Sequence, residues 1–287
     1  RIGWERFARR PQWRNLPQIP SFFFKYNCIF VTCLVWQLLL LFNHIVLEVV
    51  ILNISNMSFP HHNYKTTLTK FVNYFKDYPG VYAIVLTGSL ARGKAVKGSC
   101  IDLFIFLPTK RLRSLASTIN SRIEAYSRLG GQIAYYEGEV EGGIEFGDVR
   151  VDVCFTDGRF NPRREHSFDI TRDDFETTVG NLLVYSVPLY QKGTKFQRLK
   201  QKYLPFYDDA LREIRLKGTA EEFEYKIWKT RWLAERGEYL AALDALLEAH
   251  RIFLQHLFIK QRKYPIDYVK WLREQCIRIL AMPELYQ

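Results

Sequence analysis

Apolar positions along this chain recur at two different intervals, and each change of interval marks a change of element. Leu68, Phe71, Val72 and Phe75 fall at helical spacing and predict an amphipathic helix over 64–78. Pro79-Gly80 stops it. The β-branched and aromatic run 81–86 then predicts a buried strand that ends in Thr87-Gly88-Ser89. A short basic connector, 90–99, leads to a second apolar run, 101–107. There Cys100, Asp102 and Phe104 share one face, and Ile101, Leu103 and Ile105 the other. Pro108 ends the strand, and Leu112, Leu115, Ile119 and Ile123 predict a helix over 111–129, closed by Gly130-Gly131. Residues 132–140 and 143–155 read as a hairpin turning at Glu141-Gly142. Its second arm sets Val149, Val151 and Val153 against Asp148, Arg150, Asp152 and Cys154. The run 182–190, with Pro188 inside it, reads as a short edge strand.

Beyond Gly193 the period is helical throughout. Thr194 with Gln197 and Thr219 with Glu222 have capping-box spacing, predicting one helix that stops before Pro205 and another that runs to Arg236. Residues 238–260 carry Leu243, Leu246, Leu247, Phe253, Leu254 and Leu257 along one side, and Pro265 opens a last helix bearing Tyr268, Trp271 and Leu272. The expected class is therefore α+β: a mixed-sheet domain flanked by helices over 57–190, followed by a helical domain over 191–287.

Composition agrees with a folded chain, since 48% of its 287 residues are apolar and 25% charged. The net charge is +11, to which 1–56 contributes six basic and two acidic residues. The excess left for the remainder suits a polyanionic ligand such as a nucleotide and is too small for a dedicated nucleic-acid binder. Five scattered cysteines offer neither zinc-ligand spacing nor a disulfide framework, which points to a reducing compartment, read here as the cytoplasm. His61-His62 reads as a polar loop. Residues 1–56 stand apart as a basic and hydrophobic extension. Within them 28–47 carry no formal charge and are long enough to span a bilayer, although Gln37, Asn43 and His44 weaken that pattern. Three readings stay open for this extension: a segment foreign to the native protein, a membrane or interfacial segment, and a helix packed on the domain. Membrane contact would run through 28–47 alone.

The chemistry concentrates at 81–107. A glycine followed by a small hydroxyl residue, where a strand gives way to a helical turn, leaves backbone N–H groups free to hold phosphate oxygens. The alternation of the next strand aims Asp102 back at that turn. The order strand, Gly88-Ser89, ten intervening residues, one further position at Cys100, then a hydrophobic-Asp-hydrophobic strand resembles the nucleotidyltransferase superfamily of polymerase beta and the aminoglycoside nucleotidyltransferases.

The resemblance implies transfer of a nucleoside monophosphate from a nucleoside triphosphate to a hydroxyl on a small molecule, a protein or RNA, with one or two Mg2+ ions. It assigns the metal and the catalysis to Asp102 and Asp152, with Asp148 ranked behind Asp152, and the nucleotide to Gly88, Ser89, Arg92 and Ser99. Lys94 and Lys97 are either phosphate contacts or solvated loop cations. The family pattern has a second aspartate where this chain has Cys100, and a neutral thiol is a poor magnesium ligand. A base for the acceptor, by comparison with the antibiotic-modifying enzymes, falls on Glu248, beside His250; the other reading of these residues is a polar position on a solvent face. The cluster Lys192, Lys195, Arg198, Lys200 and Lys202 is either an acceptor patch or a solvated helix face. Two functional classes follow: an active transferase, or a degenerate nucleotide-binding or protein-interaction module. Replacing Cys100 by Asp and following pyrophosphate release separates them.

Overall fold

A computed structural model of the chain describes residues 54–55, 57–116, 128–137, 141–162 and 174–287. Apart from Ile54 and Ser55, the extension 1–56 lies outside the described residues, as does most of the predicted 111–129 helix. So does the candidate span 28–47, and among the described residues no helix is long and apolar enough to cross a membrane.

The order is α1 (His62–Lys76), β1 (Ala83–Thr87), a single helical turn α2 (Gly88–Ala91), β2 (Ile101–Phe106), α3 (Thr109–Ala116), β3 (Gln132–Glu137), β4 (Glu141–Phe146), β5 (Val149–Thr156), α4 (Phe175–Val179), β6 (Val187–Gln191), α5 (Lys195–Tyr203), α6 (Asp209–Glu235), α7 (Tyr239–Lys260) and α8 (Leu272–Glu274). The strands make one six-stranded sheet in the order β3-β4-β5-β2-β1-β6. Among the described residues only β2 and β5 pair in parallel, so the sheet is mixed, and β6 with Pro188 lies at its edge.

Strand alternation builds a different core on each face. Ile84, Leu86, Ile101, Leu103, Ile105, Val151 and Val153 pack on one side against Tyr64, Leu68, Phe71 and Phe75 of α1. On the other, Ala83, Val85 and Phe106 meet Phe175, Leu182, Phe196, Tyr203, Tyr207, Leu211 and Tyr264. This second cluster is shared by sheet and C-terminal helices. Residues Val49–Gln287 accordingly form one compact unit.

A fully buried ion pair ties those helices together. Glu176 of α4 accepts from Arg215 Nε (2.5 Å) and Nη2 (2.6 Å), from Tyr207 Oη (2.8 Å) and from Gln255 Nε2 (2.9 Å). Both of its oxygens are thereby satisfied, as burial of a carboxylate demands.

Several expectations need correction. The stretch 132–155 is a three-stranded meander rather than one hairpin: Gly142 and Gly143 lie within β4, and a second turn falls at Gly147-Asp148, where Gly147 has φ +63°. Leu182 is not in a strand, because a π-helical turn occupies Gly180–Val184 and the strand starts at Val187. Thr219 does not open a helix. The cap is Asp208, which accepts from Leu211 N at 2.9 Å, and Thr219 sits mid-helix with its hydroxyl bonded back to Arg215 O. Thr194 precedes α5 without a side-chain cap bond. Pro265 opens no helix; 265–271 is a loop ending at Trp271 (φ +62°), and only short helical turns follow. On α7, Leu243, Leu246 and Leu247 face solvent while Ala242, Ala245 and Ala249 are buried. Small side chains let α6 and α7 approach closely, so the alanines rather than the leucines form the seam.

Candidate nucleotide and metal site

The register of the sheet assembles the site. Thr87 of β1 pairs with Asp102 of β2, and Asp102 pairs with Asp152 of β5. These residues make one row across three neighbouring strands, on the face opposite α1, and neighbouring strands lie about 4.8 Å apart. The two carboxylates predicted from the sequence are thus cross-strand partners.

The turn over them is equally constrained. Gly88 has φ +67°, and a Cβ there would collide with Asp102 Oδ2, so only glycine lets the backbone descend onto the carboxylate. No side chain caps the α2 turn, which leaves its first N–H groups free of a side-chain acceptor.

Electrostatics mark the pair as held under tension. Burial first, and then the charge of Asp152, raise Asp102 from 3.8 to about 6, against the pull of Arg150 and Lys270. Asp152 Oδ1 is buried without a well-formed hydrogen bond and faces Arg150 Nε at 3.2 Å as an ion-pair contact only. Arg150 Nη2 also donates to Asp152 Oδ2 (3.3 Å) and to Cys100 Sγ (2.8 Å). Burial and the neighbouring Asp152 push the Cys100 thiol up to about 11, so its sulfur is neutral at physiological pH.

These donors fit one divalent ion. Mg2+ usually takes one or two carboxylates and completes its octahedron with water and substrate phosphate. Among the described residues no group of three or more His, Cys, Asp or Glu gathers as a ligand cluster. The like-charged pair, and the Asp152 oxygen held by an ion-pair contact alone, are what a cation would relieve.

Other expected site residues have different surroundings. Arg92 is almost fully buried: its Nε donates to Gly88 O (3.3 Å), its Nη1 pairs with Glu274 (3.0 Å), and its guanidinium lies 4.3 Å over the Trp271 ring. It braces the turn from beneath. Ser99 Oγ accepts from Val96 N (3.0 Å) and its carbonyl from Tyr64 Oη (2.7 Å), fastening the connector that carries exposed Lys94 and Lys97. Asp148 sits at an exposed turn, where Asn63 (3.1 Å) and His61 (3.2 Å) hold it. Glu248 is ion-paired with Lys226 across the α6–α7 hairpin, and His250 is exposed. On α5, Lys200 and Lys202 lie over the rings of Phe196 (5.3 Å) and Tyr203 (4.9 Å), with Lys195 over Tyr82 (5.6 Å).

Sequence reasoning missed the loop after Pro265. Gln275, fully buried, bonds Ile266 N (2.7 Å), Asp267 O (2.5 Å) and Lys270 O (2.9 Å), while Asp267 Oδ1 accepts from Val269 N (2.6 Å) and Lys270 N (3.0 Å). The loop is therefore rigidly built, with Trp271 against Arg92 and Lys270 felt by Asp102. Its sequence signal, Pro265, reads as the start of a helix.

Comparison with curated proteins gives no match. Among solved structures, a nucleotidyltransferase-like protein from Exiguobacterium sibiricum is similar with a TM-score of 0.38 and 11% identity, over 77% of this chain and 65% of that one. The chain thus spans slightly less than two thirds of that protein's length. Residues 68–153 match the family described as the nucleotidyltransferase domain. That span runs from within α1 to within β5 and contains Gly88, Asp102 and Asp152, so the match supports the resemblance to the nucleotidyltransferase superfamily over this part of the chain.

Proposed function

We propose that the chain is a Mg2+-dependent nucleotidyltransferase of the cytoplasm. An acceptor hydroxyl oxygen would bond to the α-phosphorus of a nucleoside triphosphate, the bond from that phosphorus to the β-phosphate bridging oxygen would break, and pyrophosphate would leave with that electron pair. The acceptor's proton would pass to a base or to water. The observation that carries this reading is the pairing of Asp102 with Asp152 directly beneath the Gly88 turn.

In this reading Asp102 and Asp152 hold the ion, whose chemistry is to neutralise charge gathering on the phosphates. The N–H groups of Gly88 and Ser89 face the triphosphate. Lys270 supplies a cation from the C-terminal loop, and Arg92 positions the turn instead of reaching the phosphates itself. The acceptor is presented by the helical region 191–287.

A second reading rests on Cys100. A neutral thiol in place of a carboxylate removes charge that phosphoryl transfer relies on, so a protein that binds nucleotide and scarcely turns over is the alternative. Thermal unfolding with each nucleoside triphosphate, with and without Mg2+, together with pyrophosphate release, tests both. A Mg2+-dependent stabilisation of about 2.7 kcal/mol is expected at a hundredfold excess over Kd. Stabilisation without pyrophosphate release from any acceptor class selects the second reading, and no stabilisation by any nucleotide defeats both.

A further inference from the structure

Cys100 and Arg150 face each other one row outward from the two aspartates. Because β2 and β5 run parallel with Ile101 opposite Val151 and Asp102 opposite Asp152, each aspartate has its same-face neighbour two residues earlier: the thiol on one strand and the guanidinium on the other. The contacts follow that placement, with Arg150 Nη2 bridging Cys100 Sγ (2.8 Å) and Asp152 Oδ2 (3.3 Å) while Nε covers Asp152 Oδ1 (3.2 Å). Glu145, opposite Arg150 on β4, is exposed.

We propose that the guanidinium of Arg150 is a permanent substitute for a second divalent cation, so that this site takes a single ion, on Asp102 and the remaining lone pairs of Asp152. This rests on the metal-binding part of the reading above and adds the ion count and its cause. A planar guanidinium is always charged and matches a carboxylate along two directions, which makes it a durable local cation. The neutral sulfur beside it takes one of its N–H donors and adds no charge. A carboxylate at position 100 would come within reach of the same donor and be drawn into an ion pair. Cys100 is therefore not the sole cause of the reduced metal site, and restoring the aspartate alone leaves Arg150 in possession.

The experiment counts Mn2+ by electron paramagnetic resonance in the presence of α,β-methylene-ATP, on the wild-type chain and on C100D, R150M and C100D/R150M, each checked for folding by circular dichroism. Expected are one ion in the wild type, one in C100D and two in the double variant. In R150M the single ion should bind on the order of tenfold more tightly, since a neighbouring cation is gone. Pyrophosphate release should follow the count, rising at least tenfold from C100D to C100D/R150M. If the Met variants do not fold, C100D/R150Q takes their place with the same expected count. Two ions in the wild type, or two in C100D with Arg150 intact, overturn the inference and leave the proposed activity standing. Absence of Mn2+ from all four proteins overturns both.

Discussion

Two carboxylate clusters lie on the same side of this sheet, and the chain finishes them in opposite ways. Glu176 is wholly enclosed and fully answered, with two donors from Arg215, one from Tyr207 and one from Gln255 on its oxygens. Asp102 and Asp152 lie side by side, share the charge of Arg150, and leave one buried oxygen without a good hydrogen bond. Burial of charge is common to both; completion is not. A closed cluster has nothing left to offer a ligand and serves to lock α4, α6 and α7 together. The open one retains unfilled acceptor capacity next to a backbone turn, and unfilled capacity is what binding sites are made of.

The sharpest way to break the contrast is D152N. Pyrophosphate release should fall by a thousandfold or more, on the order of 4 kcal/mol of barrier, with the Mg2+-dependent thermal shift abolished and the apo fold intact. If D152N unfolds the chain instead, the open cluster is structural after all. R215A should act in the reverse manner. Leaving Glu176 buried without its partner should cost about 3–5 kcal/mol in urea unfolding, at whatever ligand concentration is used.

A smaller effect should come from D102N in chelated protein. Because the Asp102 value rises from 3.8 to about 6 on folding, the folded chain binds that proton more tightly than the unfolded one. Stability from this group is complete at low pH and is lost as pH climbs from about 4 to 6. D102N should consequently gain about 1–3 kcal/mol at pH 8, the gain shrinking toward zero near pH 4. Smallest is E248Q. Its pair with Lys226 is partly exposed, so about 1 kcal/mol of stability is expected and turnover should change less than threefold. A hundredfold loss would instead make Glu248 the acceptor's base.

Local order was readable from sequence to the extent that local forces set it. Strand, turn and strand over 81–107 follow from alternation and one glycine, and the same alternation puts Asp102 and Asp152 on a common face. The start of α6 was misread because Gly218-Thr219 has the chemistry of a stop and a start. Its neighbours Arg215 and Glu222 are buried, and that packing carries the helix straight through. The split of 143–155 into two strands was missed because Glu141-Gly142 looks more like a turn than Gly147-Asp148. The true surroundings of Arg92 had no signal at all, since Glu274 is 182 residues away along the chain. Pairings of that kind are decided by tertiary assembly.

That same contact ties the carboxyl-terminal segment to the Gly88 turn. Trp271 and Glu274 clasp Arg92, and Arg92 holds the carbonyl of Gly88, so a nick or a bulky fusion near residue 270 would slacken the Gly88 turn. Protease protection of the tail should therefore report on whether the distant glycine corner is filled.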